Sequence, residues 1–397
     1  MSGPLAGIKV VEIGALIAAP FAARLLAEFG AEVIKIEAPG HGDPIRKWRK
    51  LHNGTSLWWY LQSRNKQSIA LNLKSAEGVD IVKRLAAEAD VLIENMKPGA
   101  LEKLGLGWDV LHALNPKLTM VRISGYGQTG PYKDRPGFGA IGEAMGGIRY
   151  TTGEAGGVPA RVGVSLGDSL ASLHAVIGAL MAVLRVKTGQ GEGQVVDVSL
   201  VESVFNLMES LVPEYDLLGH VRERSGGALP GIAPSNTYPT RDGAYVVIAG
   251  NSNPIYKRLM AVIGRPDLAD DPRFAHNDGR AAQAALIDGA IAGWTSLHPI
   301  EHVLAALEAA DVPAGRIYSV ADIVADPHYQ ARDMILDQQL PDGVRVKMPG
   351  IVPKLSDTPG AVRWQGPALG EHTDAVLARL GMTAADIARL RAEGVVQ

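Results

Sequence analysis

The sequence predicts an α/β protein built on a parallel sheet, with a second, smaller α+β domain in its later half. Three observations carry this. Residues 8–13, 20–29 and 31–37 read as strand, helix and strand, an order that makes a parallel pair joined by a helical crossover. The alternation continues through strands at 69–73, 90–93 and 118–123, with a helix at 76–87. From Arg222 to Pro234 the pattern dissolves into Gly, Pro and charge, as a passage between domains does.

The first strand is apolar apart from Lys9 and Glu12, which suits a strand buried on both faces. Pro20 opens the first helix and Gly30 stops it. Between the first strand and this helix only Gly14 stands where a dinucleotide fingerprint needs closely spaced glycines. Glu37 at the end of the second strand therefore does not indicate NAD binding. Residues 41–68 read as a polar and aromatic loop in which Trp48, Trp58, Trp59 and Tyr60 sit beside Arg46, Lys47, Arg49, Lys50, Arg64 and Lys66. Such a loop either packs as ordinary surface or offers cations to phosphates and flat apolar area to an acyl chain.

Glu94, Asn95, Met96 and Lys97 follow the strand at 90–93, at the sheet edge where open α/β folds bind ligands. Short helices at 100–103 and 108–114 precede the strand at 118–123. The segment 125–132 is too glycine-rich for regular structure and too aromatic for a plain linker. A short helix at 138–147 and a loop at 151–159 lead to Asp168. Beyond it Leu170, Leu173, Ile177, Leu180, Met181 and Leu184 recur at helical spacing, predicting a long helix that buries this face and ends near Lys187.

Two readings of Asp168 follow. Its carboxylate caps the first amides of the helix, or it meets a ligand across a backbone that Gly163 and Gly167 leave uncrowded. Helix-end amides keep such a carboxylate ionised and weakly basic, which favours attack on an activated carbonyl over proton abstraction. A strand at 195–200 and a helix at 201–218 end this part. The second domain has strands at 237–239 and 244–249, helices at 254–263, 281–294, 299–310 and 319–325, and a turn at 313–318. A hairpin at 340–349 and helices at 373–380 and 384–393 complete the chain.

A length of 397 residues suits two domains, and a net charge of −3 gives no case for nucleic acid. With no cysteine, disulfides, thiolate catalysis and cysteine-ligated metals are excluded, and a cytoplasmic location is expected. His41, His52 and His112 lack acidic partners at metal-ligand spacing, so no metal is expected. The N-terminus lacks a signal-peptide pattern. Residues 171–186, interrupted by His174 and Arg185, read as too short for a membrane span, and His174 as a core histidine.

Residues 4–10, 30–37, 65–69, 90–95, 98–99, 125–132, 167–169 and 188–191, in that order, together resemble the family III CoA-transferases, the formyl-CoA transferase and carnitine CoA-transferase type. The resemblance runs through nearly the whole chain. It implies a Rossmann-like large domain of residues 1–220 completed by 331–397, a small domain of 221–330, and an interlocked homodimer. It puts the catalytic aspartate on Asp168 and coenzyme A contacts on Ile17, Ala18, Leu71, Leu73, Lys74, Asn95, Met96, Lys97, Gly125 and Tyr126, with Lys103 matching a basic phosphate contact. Ile17 stands where members often have glutamine, and Gly250, Asn251, Ser252, Asn253 and Pro254 replace a dense glycine lid. Both departures argue against formyl or oxalate specificity.

The implied reaction moves CoA from an acyl-CoA, succinyl-CoA in the nearest members, to a small dicarboxylic or hydroxy-dicarboxylic acid through an aspartyl-CoA intermediate, with no permanently bound cofactor. Amides of Gly125 and Gly127 are candidate donors to the developing oxyanion. The stretch 46–50 and Arg64 suit either a second substrate carboxylate, the CoA phosphates or a solvated face. Glu143 is a carboxylate behind Asp168 or a helix-surface residue, and Trp48 contacts the acyl group or packs. Two other readings stay open. An α-methylacyl-CoA racemase would carry a histidine in the loop where this chain has Pro131, Tyr132, Lys133 and Asp134. A noncatalytic CoA-binding protein would use Asp168 as a cap alone.

Overall fold

A computed structural model describes residues 3–397. Six strands, β1 (Lys9–Ile13), β2 (Glu32–Glu37), β3 (Lys66–Ala70), β4 (Val91–Glu94), β5 (Thr119–Ser124) and β6 (Val195–Ser199), form one sheet. Their order is β3–β2–β1–β4–β5–β6 and every pairing is parallel. The chain winds outward from β1 to β3, returns to β4 beside β1, and winds outward again: a doubly wound α/β sheet.

Helices cover both faces. On one side α1 (Ala18–Glu28) packs with α7 (Leu166–Lys187). On the other lie α3 (Ala76–Glu88), α4 (Ala100–Lys103) and α5 (Trp108–Leu114), joined by C-terminal helices Thr373–Arg379 and Ala384–Ala392, whose Val376, Leu377, Ile387 and Leu390 enter the same core. The final residues also cover the β3 end of the sheet, with Asn72 N–H donating to Val395 O (2.8 Å) and Ala70 N–H to Thr373 Oγ1 (3.1 Å).

Contacts group residues 3–148, 162–209 and 331–397 into one unit, and 149–161 with 210–330 into another. The second unit has its own core around Tyr238, Val246, Ile248, Leu259, Ile287 and Val303. Its antiparallel sheet is β7 (Ser235–Pro239), β8 (Tyr245–Ala249) and β9 (Ala314–Arg316), with β8 central. The loop at 151–159 belongs to this unit, where Arg224 donates to Tyr150 O (2.8 Å) and Gly157 O (3.1 Å). A hairpin of β10 (Ile335–Gln339) and β11 (Arg345–Pro349) returns to the first unit.

Several expectations are corrected. The helix expected at 201–218 is two, α8 (Leu200–Phe205) and Leu211–Leu218, with Glu209 at φ +51° between them. The stretch 41–68 contains helix α2 (Leu57–Gln62), capped by Ser56. The turn at 313–318 contains β9, an edge strand recruited by β8 rather than by its own residue preferences. The third strand starts three residues early, at Lys66, because buried lysines are part of this sheet and hydropathy alone does not place them.

The largest correction concerns α7. Its buried face is mostly small, Gly167, Ala171, Ser172, Ala175, Ala179 and Ala182 with Val183 and, of the six apolar residues expected there, Leu170 alone, set against the alanine-rich α1. Small side chains let the two backbones approach closely. Leu173, Ile177, Leu180, Met181 and Leu184 instead stand 40–66% exposed. With 22 residues, this helix is long and apolar enough to cross a membrane by length and composition, contrary to the expectation for 171–186, yet it packs as part of the core.

Candidate active site

All six strands point the same way, so their carboxyl ends share one edge, and the winding reverses between β1 and β4, where such a sheet leaves a crevice. The loops after these two strands are tied together. Asn95 accepts from Ala15 N–H (2.9 Å) and donates back to Ala15 O (2.9 Å). Gly14 permits this, since a Cβ there would fall 2.4 Å from that of Ala19. Leu16 sits at φ +67°, strained for a leucine, and its N–H is held by the Asp43 carboxylate at 3.0 Å.

The structure gathers Ile17, Ala18, Asn95, Met96 and Lys97 at this crevice. Gly125 and Tyr126 follow β5, one strand further out. Leu71, Leu73 and Lys74 follow β3, two strands from β1. Of these, Leu71 is a core side chain with Leu73 packed against that core, and Lys74 is exposed. Lys103 ends α4 on its exposed side.

Behind the crevice lies a buried charge network. Lys35 Nζ contacts Glu12 (2.7 Å), Asp43 (2.9 Å) and Gly14 O (2.8 Å), and Lys66 Nζ contacts Glu12 (2.8 Å) and Pro20 O (2.7 Å). Arg46 clasps both oxygens of Glu37 at 2.8 Å each. Burial opposes charge on Glu37, but Arg46, Lys35 and the Ser68 hydroxyl outweigh it and hold the carboxyl below its ordinary 4.5. Burial likewise opposes charge on Asp43, and Lys35 with the Ile45 and Leu16 amides holds it below 3.8.

Carboxyls depressed by folding leave the unfolded chain binding more protons, so their stabilisation is complete above the unfolded values and lost as pH falls through the folded ones. The share of stability these two carboxyls supply, read as the difference between the wild type and a variant lacking them, is therefore expected to be level between about pH 7 and 5 and to drop below about pH 4. A difference that rises between about pH 5 and 3 would contradict this network.

Arg64 is equally committed, to Glu28 (2.6 Å) and Pro349 O (2.8 Å). Pulling one partner from a buried pair costs about 3–5 kcal/mol, against about 0–1 kcal/mol returned by an exposed ion pair. Arg46 and Arg64 are therefore structural, which corrects the expectation that they serve a substrate. Glu37, far from binding ribose, is the partner of Arg46 in this network.

Asp168 is the third residue of α7, whose N-cap is Ser165; the aspartate is inside the helix and is not its cap. Ser172 Oγ donates to Ala18 O (2.7 Å), which sets this end of α7 beside the start of α1, at the carboxyl edge of the sheet. The Asp168 carboxylate lies against the first residue of α6 (Gly139–Met145): a Cβ on Gly139 would stand 2.1 Å from Oδ2. Gly167, expected to admit a ligand, instead admits α6, since its own Cβ would meet Gly139 O at 2.8 Å. Glu143 is buried just behind, accepting from Gly167 N–H at 3.4 Å. Gly139 was not anticipated; the only signal is its place in a glycine-rich segment.

His174 is half-buried, with Nδ1 3.0 Å from Leu170 O and Nε2 3.2 Å from the Asn206 amide. The loop after β5 is closed at its neck, where Gly125 and Gly137 touch so closely that a Cβ on Gly125 would lie 2.8 Å from Gly137 Cα. Its Gly127 N–H donates to Ser124 Oγ (3.0 Å), which removes that amide as an oxyanion donor. Trp48 is 40% exposed and leans toward Trp58 at 6.5 Å. In the second unit, buried Arg280 donates to Asn251 O (2.6 Å) and Asn253 Oδ1 (3.0 Å), fixing the segment 250–254. Among the described residues no group of three or more His, Asp or Glu is arranged to hold a metal ion.

Comparison with known proteins agrees along the whole length. The chain is 50% identical over 395 residues, 99% of its length and 98% of the relative's, to the succinyl-CoA--D-citramalate CoA-transferase of Chloroflexus aurantiacus. It is 36% identical to the succinate--glutarate CoA-transferase of Agrobacterium fabrum, over 95% of this chain and 96% of that one. A crystal structure of a CAIB/BAIF family protein from Brucella suis superposes with a TM-score of 0.82 at 36% identity, covering 96% of this chain and 100% of the other. The pattern of CoA-transferase family III matches residues 5–373, and the chain belongs to that family of CoA-transferring enzymes.

Proposed function

We propose that the enzyme transfers CoA from succinyl-CoA to a small dicarboxylic acid, with a hydroxy diacid of the citramalate type as acceptor, through covalent intermediates on Asp168. The observation that carries this reading is the Asp168 carboxylate, seated in the first turn of α7 at the carboxyl edge of the sheet against a residue with no side chain. The relatives' names support the choice of acids.

In the first step an Asp168 oxygen attacks the thioester carbonyl, the C–S bond breaks, and CoA leaves as thiolate from a mixed anhydride. The thiolate attacks Cγ of Asp168, freeing the donor carboxylate and leaving an aspartyl-CoA thioester. The acceptor carboxylate attacks that carbonyl, re-forming an anhydride and thiolate, and the thiolate takes the acyl group away. Carboxylates and thiolates exchange throughout, so no net proton is taken or given. One thioester replaces another, and the site's task is to keep water from the anhydride.

His174 has both ring nitrogens engaged, by Leu170 O and the Asn206 amide, which counts against a role as the acid of a racemase. The reading also takes the enzyme to be an interlocked homodimer, supported by the apolar face that α7 leaves exposed, and cytoplasmic, supported by the absence of cysteine. Incubation with succinyl-CoA and a panel of glutarate, malate, mesaconate, itaconate and citramalate should yield new CoA thioesters by mass spectrometry, citramalyl-CoA foremost. No exchange with any of them would overturn the reading.

A further inference from the structure

We propose that Arg49 and Lys50 hold the second carboxylate of the diacid and set the preference for dicarboxylic over monocarboxylic substrates. The inference rests on the CoA transfer at Asp168 proposed above and names the part of that site which selects the acid. A groove of about 470 Å3 runs beside the start of α7, lined by Arg49, Lys50, Leu57, Trp58, Leu61, Val164, Ser165 and Ser169. Its two serines lie three residues before and one after Asp168. Apolar walls that also carry two cations match a short carbon chain with a terminal anion.

The other cations of this stretch are spoken for. Arg46 clasps Glu37, Arg64 and Lys66 pair with Glu28 and Glu12, and Lys47 donates to Gly54 O at 2.7 Å. Arg49 and Lys50 form no ion pair with any described residue; Arg49 only lies over the Trp58 ring, 4.6 Å from its centre. The backbone at Arg49 is also held at φ +58°, a conformation a side-chain-bearing residue adopts at a cost and that clusters at ligand clamps. Its surroundings enforce it: buried Ile45 and Arg46 precede it, and the Leu51–His52 and Thr55–Ser56 hairpin follows.

The test uses matched acceptors, glutarate and valerate, which differ in one terminal carboxylate. In a ping-pong cycle kcat/KM for the acceptor reports only the half-reaction after the donor acid has left, so effects on succinyl-CoA cancel. In Arg49→Gln/Lys50→Gln, kcat/KM for glutarate should fall about 10- to 100-fold, the worth of a charge-assisted hydrogen bond, while the value for valerate stays within about twofold. Arg49→Lys should recover part of the preference. Equal losses for both acids would make these cations CoA-phosphate contacts and overturn the proposal, as would an unchanged preference. If the wild-type enzyme transfers CoA to monocarboxylates alone, this inference fails while the role of Asp168 stands. If Asp168→Ala retains exchange, the parent reading fails.

Discussion

Replacing Asp168 by alanine is expected to lower kcat about 10,000-fold or more, the scale on which removal of a covalent nucleophile acts, with the fold retained. The side chain is only half-buried, so little packing is lost. The electrostatic benefit of an acid in the first turn of a helix is about 0.3–1 kcal/mol, too small to unfold the protein and far too small to account for such a loss of rate. Asp168→Asn keeps the shape and should be as inactive, because an amide cannot accept and surrender CoA. During turnover with hydroxylamine the wild-type peptide containing residue 168 should carry an aspartyl hydroxamate, and neither variant should. Exchange that survives in Asp168→Ala would reduce the residue to a first-turn acid.

Gly139→Ala is expected to be the next most damaging change, without touching any group that reacts. The new Cβ would occupy a point 2.1 Å from Asp168 Oδ2 and 2.7 Å from Cγ, so either the carboxylate turns away or α6 withdraws from α7. Overpacking of this kind costs about 1–3 kcal/mol of stability, whereas displacing a reacting group by an ångström costs about 100-fold in rate. A fall in kcat of about 100-fold is therefore expected with a modest loss of thermal stability and a nearly unchanged KM for the CoA thioester. A folded variant with wild-type kcat would mean that the carboxylate reacts from some other position. The same change at Gly163, where a Cβ meets nothing within 4 Å, serves as the control.

How much of this was readable beforehand differs from residue to residue. Strands and helices of the first unit follow from apolar runs and from Pro20 and Gly30. β3 does not, because its Lys66 is a buried ion-pair partner that reads as surface. The pairing of Arg46 with Glu37 and of Arg64 with Glu28 joins residues on different elements, so both arginines looked as available as Arg49. The strained turn at Leu16 and the amide clamp of Asn95 on Ala15 depend on two loops meeting across the sheet.

From its residues alone the chain determined its alternating strands and helices, the family it belongs to, and the one carboxylate at the head of its longest helix. Local pattern suffices there, because hydrogen-bonded elements and their ends depend on neighbours in sequence. The tertiary structure alone decided which face of α7 is buried, which cations are spent on ion pairs, and that Gly139 makes room for Asp168. Those are properties of separation in space: helical spacing marks an apolar face but not what lies against it, and a side chain's charge is free or committed only once its partner is in place.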